Sequence, residues 1–401
     1  MAEMTGLGTT GGVLSSLAER LGHPRRGQGV GGSRRFDSVY LMQLIPALLI
    51  VLFGVITIWS ASRALENANF VSHLAGIAIG AVGAVIVWRY DYRVLANTTT
   101  VLFFLACFLM LMPKIPGLGW EGGLGMVGWV KIGPLRFQPS EPAKLVVIFL
   151  MASACAQYNG KIESLKDYVR LCATLLIPLV LIMITDLGTG LMIFFVGAAI
   201  IICSGAPRAW ILATIALVVA GAAFVVITSS IPGIPHILKD YQLKRLTVFM
   251  DPSGTSEDAY NLRQAMIAVG SGGFLGKGVG NASQALSGFL PEAHTDFVFA
   301  TFAEEFGFLG SVVLLGLFAW MILATVLLAH KMESAFTKLV LVGCASLWLF
   351  QVLENVGMCI GIMPITGIPL PFMSYGSSSM VTQLAAVGVV QSVWRHRQKA
   401  A

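Results

Sequence analysis

Charge is what this 401-residue chain has least of: Asp, Glu, Lys and Arg make up 11% of it, while 56% is hydrophobic. A soluble globular domain carries about 25% charged residues, so a fold surrounded by water is excluded. Cysteine is sparse and scattered. Cys107, Cys155, Cys172, Cys203, Cys344 and Cys359 each lie in an apolar stretch. With no CxxC spacing they read as small buried hydrophobes rather than disulfide partners or a zinc site. A basic patch interleaved with aromatics is also missing. The net charge of +6 comes from residues scattered through short loops, so a nucleic-acid partner is not expected. No cleavable leader is evident, because the first apolar stretch is long enough to span and more of the same follows.

What is present is length in hydrophobic runs. A membrane span needs about 20 apolar residues, and ten segments qualify, near 41–62, 70–88, 94–112, 140–157, 169–185, 187–204, 209–229, 302–329, 337–360 and 379–394. The expected fold class is an all-α polytopic membrane protein with about ten transmembrane helices. Its domain plan is a disordered cytoplasmic tail over 1–38, rich in Gly, Ser and Arg, a membrane domain over 39–395, and a short cytoplasmic tail over 396–401. Lys and Arg set the orientation. Arg25, Arg26, Arg34, Arg35, Arg89, Arg93, Lys161, Lys166, Arg170, Arg208, Lys331, Lys338, Arg395, Arg397 and Lys399 collect on the side of both termini, which is therefore expected to be cytoplasmic. The other side receives three Gly- and Pro-rich segments, 113–139, 361–378 and a large extracytoplasmic loop at about 230–296 between spans seven and eight. A connector of that length is rarely idle. Within it, 257–269 has weak helical periodicity suited to a membrane surface.

Polar residues stand out against this background, and each has a plain reading beside the functional one. Gly270-Ser271-Gly272-Gly273-Phe274-Leu275-Gly276-Lys277-Gly278 fails as a phosphate-binding P-loop, with Ser271 and Gly278 in the wrong places. It reads as a flexible outer turn whose N–H groups remain available to phosphate oxygens. Ser140 is an expected N-cap, with Pro142 in the first turn. Glu141 and Lys144, three apart, share a helix face; they form either a structural ion pair or a cavity wall presenting a cation. Asp186 either caps the sixth span or faces an outward cavity. Leu290-Pro291-Glu292-Ala293-His294-Thr295-Asp296-Phe297 is the densest polar run. Thr295 is a candidate N-cap and Asp296 a first-turn acid, but capping does not account for Glu292, His294 and Asp296 together. Glu304 and Glu305 point about 100° apart on a helix. Broken backbone around Pro364–Phe372 and Ser374–Ser378 implies a cavity open to the outer face, since such backbone is tolerated at membrane depth only when buried in protein or wet.

Four of these segments, in this order, resemble the RodA/FtsW (SEDS) family over about residues 41–395. They are Phe137-Gln138-Pro139-Ser140-Glu141, Asp186-Leu187-Gly188-Thr189, Pro291-Glu292-Ala293-His294-Thr295-Asp296-Phe297 with Ala303-Glu304-Glu305, and Pro369-Leu370-Pro371-Phe372-Met373-Ser374-Tyr375-Gly376. Ile365-Thr366-Gly367-Ile368-Pro369-Leu370-Pro371 and Asn355-Val356-Gly357-Met358 look more like the RodA (elongation) branch, whereas Pro291-Glu292-Ala293 leans toward the division branch. The chain departs from the family pattern at Gly128, where many members carry Arg or Ser, at Ser377, where Gly is usual, and at Glu354, an unusual acid before Asn355. Lys131 and Arg136 are the candidates to replace the cation missing at Gly128.

The resemblance implies a peptidoglycan glycosyltransferase polymerising lipid II at the outer face of the cytoplasmic membrane, partnered by a class B penicillin-binding protein and by elongation or division membrane proteins. It assigns Asp296 as general base toward the acceptor sugar hydroxyl. The leaving diphosphate needs charge neutralisation, for which Lys144, Arg245 and Lys277 are candidates, alone or with a divalent cation (Mg or Mn). Glu141 would orient Lys144. Arg136, Asp186, His294 and Ser374 complete the expected substrate-binding set. A flippase or other transporter of the lipid-linked precursor is the rival class, since intramembrane charge and broken helices suit it as well.

Overall fold

In this computed structural model the described residues are 38–63, 65, 68–120, 128–132, 135–229, 248 and 256–397. Those from Tyr40 onward belong to one compact unit. Helices dominate, and ten of them fall on the ten predicted spans: α1 (Leu41–Ser62), α2 (Phe70–Arg89), α3 (Thr99–Leu111), α4 (Ser140–Ala156), α5 (Leu165–Met183), α6 (Leu187–Cys203), α7 (Arg208–Ser229), then α9 (Val298–His330), α10 (Ala335–Cys359) and α11 (Ser377–His396), with the loop helix α8 (Glu257–Ser271) between α7 and α9. Among the described residues, α1, α2, α9, α10 and the Arg208–Val225 part of α7 are long and apolar enough to cross a membrane, and shorter apolar helices accompany them. Side chains such as Val71, Leu217 and Phe104 stand exposed on the outside of the bundle, as expected where the solvent is lipid. The chain is a multi-pass membrane protein.

Both ends of the bundle share one face. Tyr40 N–H donates to Gln391 Oε1 at 2.7 Å, Gln391 Nε2 returns a bond to Tyr40 O at 3.0 Å, and the Tyr40 ring lies 4.7 Å from that of Trp394. The opposite face, here the loop face, gathers the N-termini of α4, α6, α9 and α11 and the C-terminus of α10. The Gly- and Pro-rich segment before α4 is partly a three-stranded antiparallel sheet, β1 (Gly119–Trp120), β2 (Trp129–Ile132) and β3 (Leu135–Phe137), in that order. Its register sets Trp120 opposite Trp129 and Lys131 opposite Arg136. This sheet was not expected from the sequence.

The predicted eighth span is longer than expected and broken. α9 runs 33 residues and carries a non-helical Gly307 at φ 67, ψ −165, a left-handed conformation that glycine alone adopts cheaply. The break removes the helical bonds from Phe308 and Leu309 back to Glu304 and Glu305. The Gly-rich segment supplies replacements: Phe308 N–H donates to Gly273 O at 2.9 Å, Leu309 N–H to Phe274 O at 3.1 Å, Lys277 N–H to Glu304 O at 3.0 Å and Gly278 N–H to Glu305 O at 2.9 Å. A β-carbon at Gly272 or Gly276 would collide with the α9 backbone. The run read as a flexible turn is therefore a strap fitted to a kink, and the backbone N–H groups of Lys277 and Gly278 are committed to protein rather than to phosphate.

Candidate active site

The site is built around the segment between α10 and α11. Asn355, near the end of α10, donates through Nδ2 to Asp296 O at 2.7 Å and to Ile368 O at 2.8 Å. Its neighbour Glu354 accepts from Thr366 Oγ1 at 2.6 Å. Between Thr366 and Ile368 sits Gly367, at φ 73. A β-carbon there would lie 3.1 Å from Asp296 Oδ2, so the carboxylate rests directly on this glycine. From the other side Gly188, in the first turn of α6, packs on Thr366 O and Ile368. Asp186 caps that same helix, accepting from Thr189 N–H at 2.9 Å and Thr189 Oγ1 at 2.7 Å. Asp296, Glu354 and Asn355 are thus tied to one short loop, on which the helix capped by Asp186 packs through Gly188.

Asp296 itself is half-buried. Its local geometry differs from the expected cap. The N-cap of α9 is Phe297, with no side-chain capping bond. Thr295 Oγ1 donates to Glu292 Oε2 at 2.7 Å, while Thr295 and Phe297 N–H both turn back to Glu292 O. Thr295 therefore stabilises a tight turn, and Asp296 precedes the helix instead of occupying its first turn. Tyr375 N–H donates to His294 O at 2.8 Å, locking this turn onto the α10–α11 loop. The Tyr375 ring lies between His294, at 5.4 Å, and His73 of α2, at 6.1 Å. Burial pushes the His294 imidazole below its usual range, with Glu292 pulling weakly the other way.

Glu141 and Lys144 form the ion pair that their spacing implied, with Nζ to Oε1 at 2.7 Å and both side chains at most 3% exposed. The helix begins one residue earlier than expected: Pro139 is the N-cap and Ser140 the first helical residue. Glu141 Oε2 is buried with no hydrogen-bond partner among the described residues. Gln138 N–H donates to Ser378 Oγ at 3.2 Å, joining the sheet and α4 to α11. On the sheet Arg136 lies over Trp120 at 4.4 Å, and its cross-strand neighbour Lys131 is exposed with it. Like charges directly opposite repel, which suits a surface where anions approach.

Lys277 and Ser374 have structural partners. Lys277 Nζ reaches Glu304 Oε1 at 2.6 Å, Ser271 Oγ at 2.8 Å and Ser283 Oγ at 2.8 Å. Glu304 is fully buried and also accepts from Ser283 Oγ and from Gln284 N–H. Glu305 accepts from Ser60 Oγ of α1 and from Gly280 N–H. Ser374 is buried, and its hydroxyl accepts from Leu370 N–H at 2.8 Å, closing the turn before α11. Arg245 lies outside the described residues. Among the described residues no three His, Cys, Asp or Glu side chains come together as a metal cage. The sequence placed Thr366, Gly367 and Tyr375 in broken backbone around an outward cavity without giving them individual roles, and it did not single out His73.

This arrangement has relatives. A family model described as cell cycle protein, spanning FtsW, RodA and SpoVE, matches residues 40–399. The chain is 34% identical over 377 residues to a probable peptidoglycan glycosyltransferase FtsW of Saccharophagus degradans, covering 90% of this chain and 93% of that one. It is 32% identical over 368 residues to the peptidoglycan glycosyltransferase MrdB of Escherichia coli, covering 90% and 96%. A chain from a solved structure described as the structural coordination of polymerization and crosslinking by a peptidoglycan synthase complex matches with TM-score 0.76 at 27% identity, covering 90% of this chain and 99% of that one. With nearly its whole length matched, the chain belongs to the FtsW/RodA/SpoVE family of cell cycle proteins.

Proposed function

We propose that this protein is an inverting peptidoglycan glycosyltransferase that polymerises lipid II, with Asp296 as its general base. The observation that carries the reading is the Asp296 carboxylate set against Gly367 in a loop braced by α6 and α10. The acceptor sugar's 4-hydroxyl attacks the anomeric carbon of the donor, Asp296 takes the hydroxyl proton, and lipid diphosphate leaves with inversion to a β-1,4 link. A sugar hydroxyl is a weak nucleophile, and a positioned base accelerates such a step by about 10²–10⁴-fold. The diphosphate leaves as an anion and needs positive charge more than a proton. Lys144, held by Glu141, and the exposed Lys131 and Arg136 of the sheet are the cations we assign to it, with Arg245 beyond the described residues as a further candidate. N-termini of α4, α6 and α11 on the same face add favourable dipoles. Lys277 we assign to the strap.

The loop face is then extracytoplasmic and both termini cytoplasmic, with a membrane domain over 39–395 flanked by tails at 1–38 and 396–401. A crosslinking transpeptidase of the class B penicillin-binding type is the expected partner, supported by the synthase-complex match. Relatives from both branches match comparably; the Ile365–Pro371 motif favours an elongation role, which complementation of elongation- or division-depleted cells will test.

The decisive experiment is strand synthesis by purified, membrane-reconstituted protein given lipid II on the outer face only. Asp296→Asn is expected to insert and fold normally and to make no strands. Wild-type-like strands from that variant would remove the base assignment.

A further inference from the structure

Two consecutive residues of α10 hold the two sides of one glycine. Glu354 binds Thr366 at 2.6 Å, and Asn355 binds Ile368 at 2.8 Å while its other bond fixes the Asp296 main chain at 2.7 Å. The residue between the two held positions is Gly367, whose surface supports the Asp296 carboxylate. Glu354 is 1% exposed. A buried carboxylate next to a membrane-spanning core is costly, and helix formation does not require it, since any apolar residue would serve α10 at this place. Its hydrogen bond to Thr366 gives it a specific task.

We propose that Glu354 is a positioning residue for the transfer reaction: by holding Thr366 it fixes Gly367, and through Gly367 the direction in which Asp296 faces the acceptor hydroxyl. The proposal rests on Asp296 being the base. Asn355 fixes where the Asp296 backbone lies, and Glu354 fixes what the side chain leans on. Gly188 of α6 also packs closely on Thr366 O, so the loop is held by α6 as well as by Glu354. Removal of Glu354 takes away the Thr366 hydroxyl's bond to α10 and leaves the α6 contact.

The effect belongs to the chemical step. Misplacing a catalytic group by about 1 Å costs up to about 10²-fold in rate, whereas affinity for the lipid precursor is set elsewhere. In reconstituted full-length protein, Glu354→Val is expected to lower kcat for lipid II polymerisation about tenfold or more with KM within about twofold. Glu354→Gln keeps an oxygen that accepts from Thr366 and is expected to stay within about threefold of wild type. Thr366→Val, which disturbs nothing inside a helix, is expected to reproduce Glu354→Val, and the double variant to be no slower than either single one. Wild-type kcat in Glu354→Val, multiplying losses in the double variant, or Glu354→Gln as slow as Glu354→Val would overturn the proposal. Asp296→Asn assayed alongside separates the two readings: if it is inactive while Glu354→Val is unimpaired, only the positioning role fails, and if it is active the base assignment falls first.

Discussion

Consider replacing Lys277 with Met. The sequence offered this lysine as a cation for the departing diphosphate, whereas the structure buries its partner Glu304 completely and brings Nζ to 2.6 Å from it. Removing one member of a buried ion pair costs about 3–5 kcal/mol, because a charge is left behind without compensation. Two features reduce that here. The Lys277 side chain is itself 31% exposed, and Glu304 keeps donors from Ser271, Ser283 and Gln284. The expected loss is therefore about 2–3 kcal/mol of folding stability, read by reversible unfolding of the protein in mixed micelles. Pairing Lys277→Met with Glu304→Gln removes the stranded charge and is expected to recover most of the loss. A Lys277→Met protein as stable as wild type, with a raised KM for lipid II, would refute this reasoning and restore Lys277 to the substrate.

Further outcomes follow from the same geometry. Gly307→Ala puts a β-carbon into the strap at a left-handed residue, and a loss of well over 2 kcal/mol is expected from strain and clash together, checked by folded yield and thermal unfolding. Gly367→Ala is expected to leave insertion intact while cutting strand synthesis at least tenfold, because the new methyl pushes on Asp296. The depressed His294 binds fewer protons in the folded chain than in the unfolded one. Its contribution is thus complete above the ordinary value of 6.5 and is lost as pH falls below it, so the melting temperature should drop with acidification and drop less in His294→Gln.

The span pattern was legible because it depends on composition over some twenty residues, a signal that survives without knowledge of neighbours. Helix positions and the Glu141–Lys144 pair follow from spacing within one helix, and so does the Asp186 cap. What composition could not show is pairing between distant segments. Nothing near Lys277 in the chain names Glu304 as its partner, and Glu304 and Glu305 look alike until the strap and α1 distinguish them. The Gly-rich run looked loose because glycine usually signals freedom; here the same residues permit close approach to another backbone. Asp296 was singled out through its cluster of polar side chains, but Gly367 contributes only an absence of side chain, and its meaning depends on what rests against it.

The broken helix α9 has one more implication. Thirty-three residues of unbroken helix would measure about 50 Å, against a hydrocarbon layer of about 30 Å, and the surplus would lift its leading end well into water. Bending at Gly307 folds the opening turns back among neighbouring helices, where Val298 to Glu305 are buried, while Phe308 and Leu309 just past the bend are exposed. Under the proposed assignment of Asp296, this keeps the reacting end of the helix near the depth where a lipid-tethered sugar travels, so that the polymer is extended without its anchor leaving the bilayer.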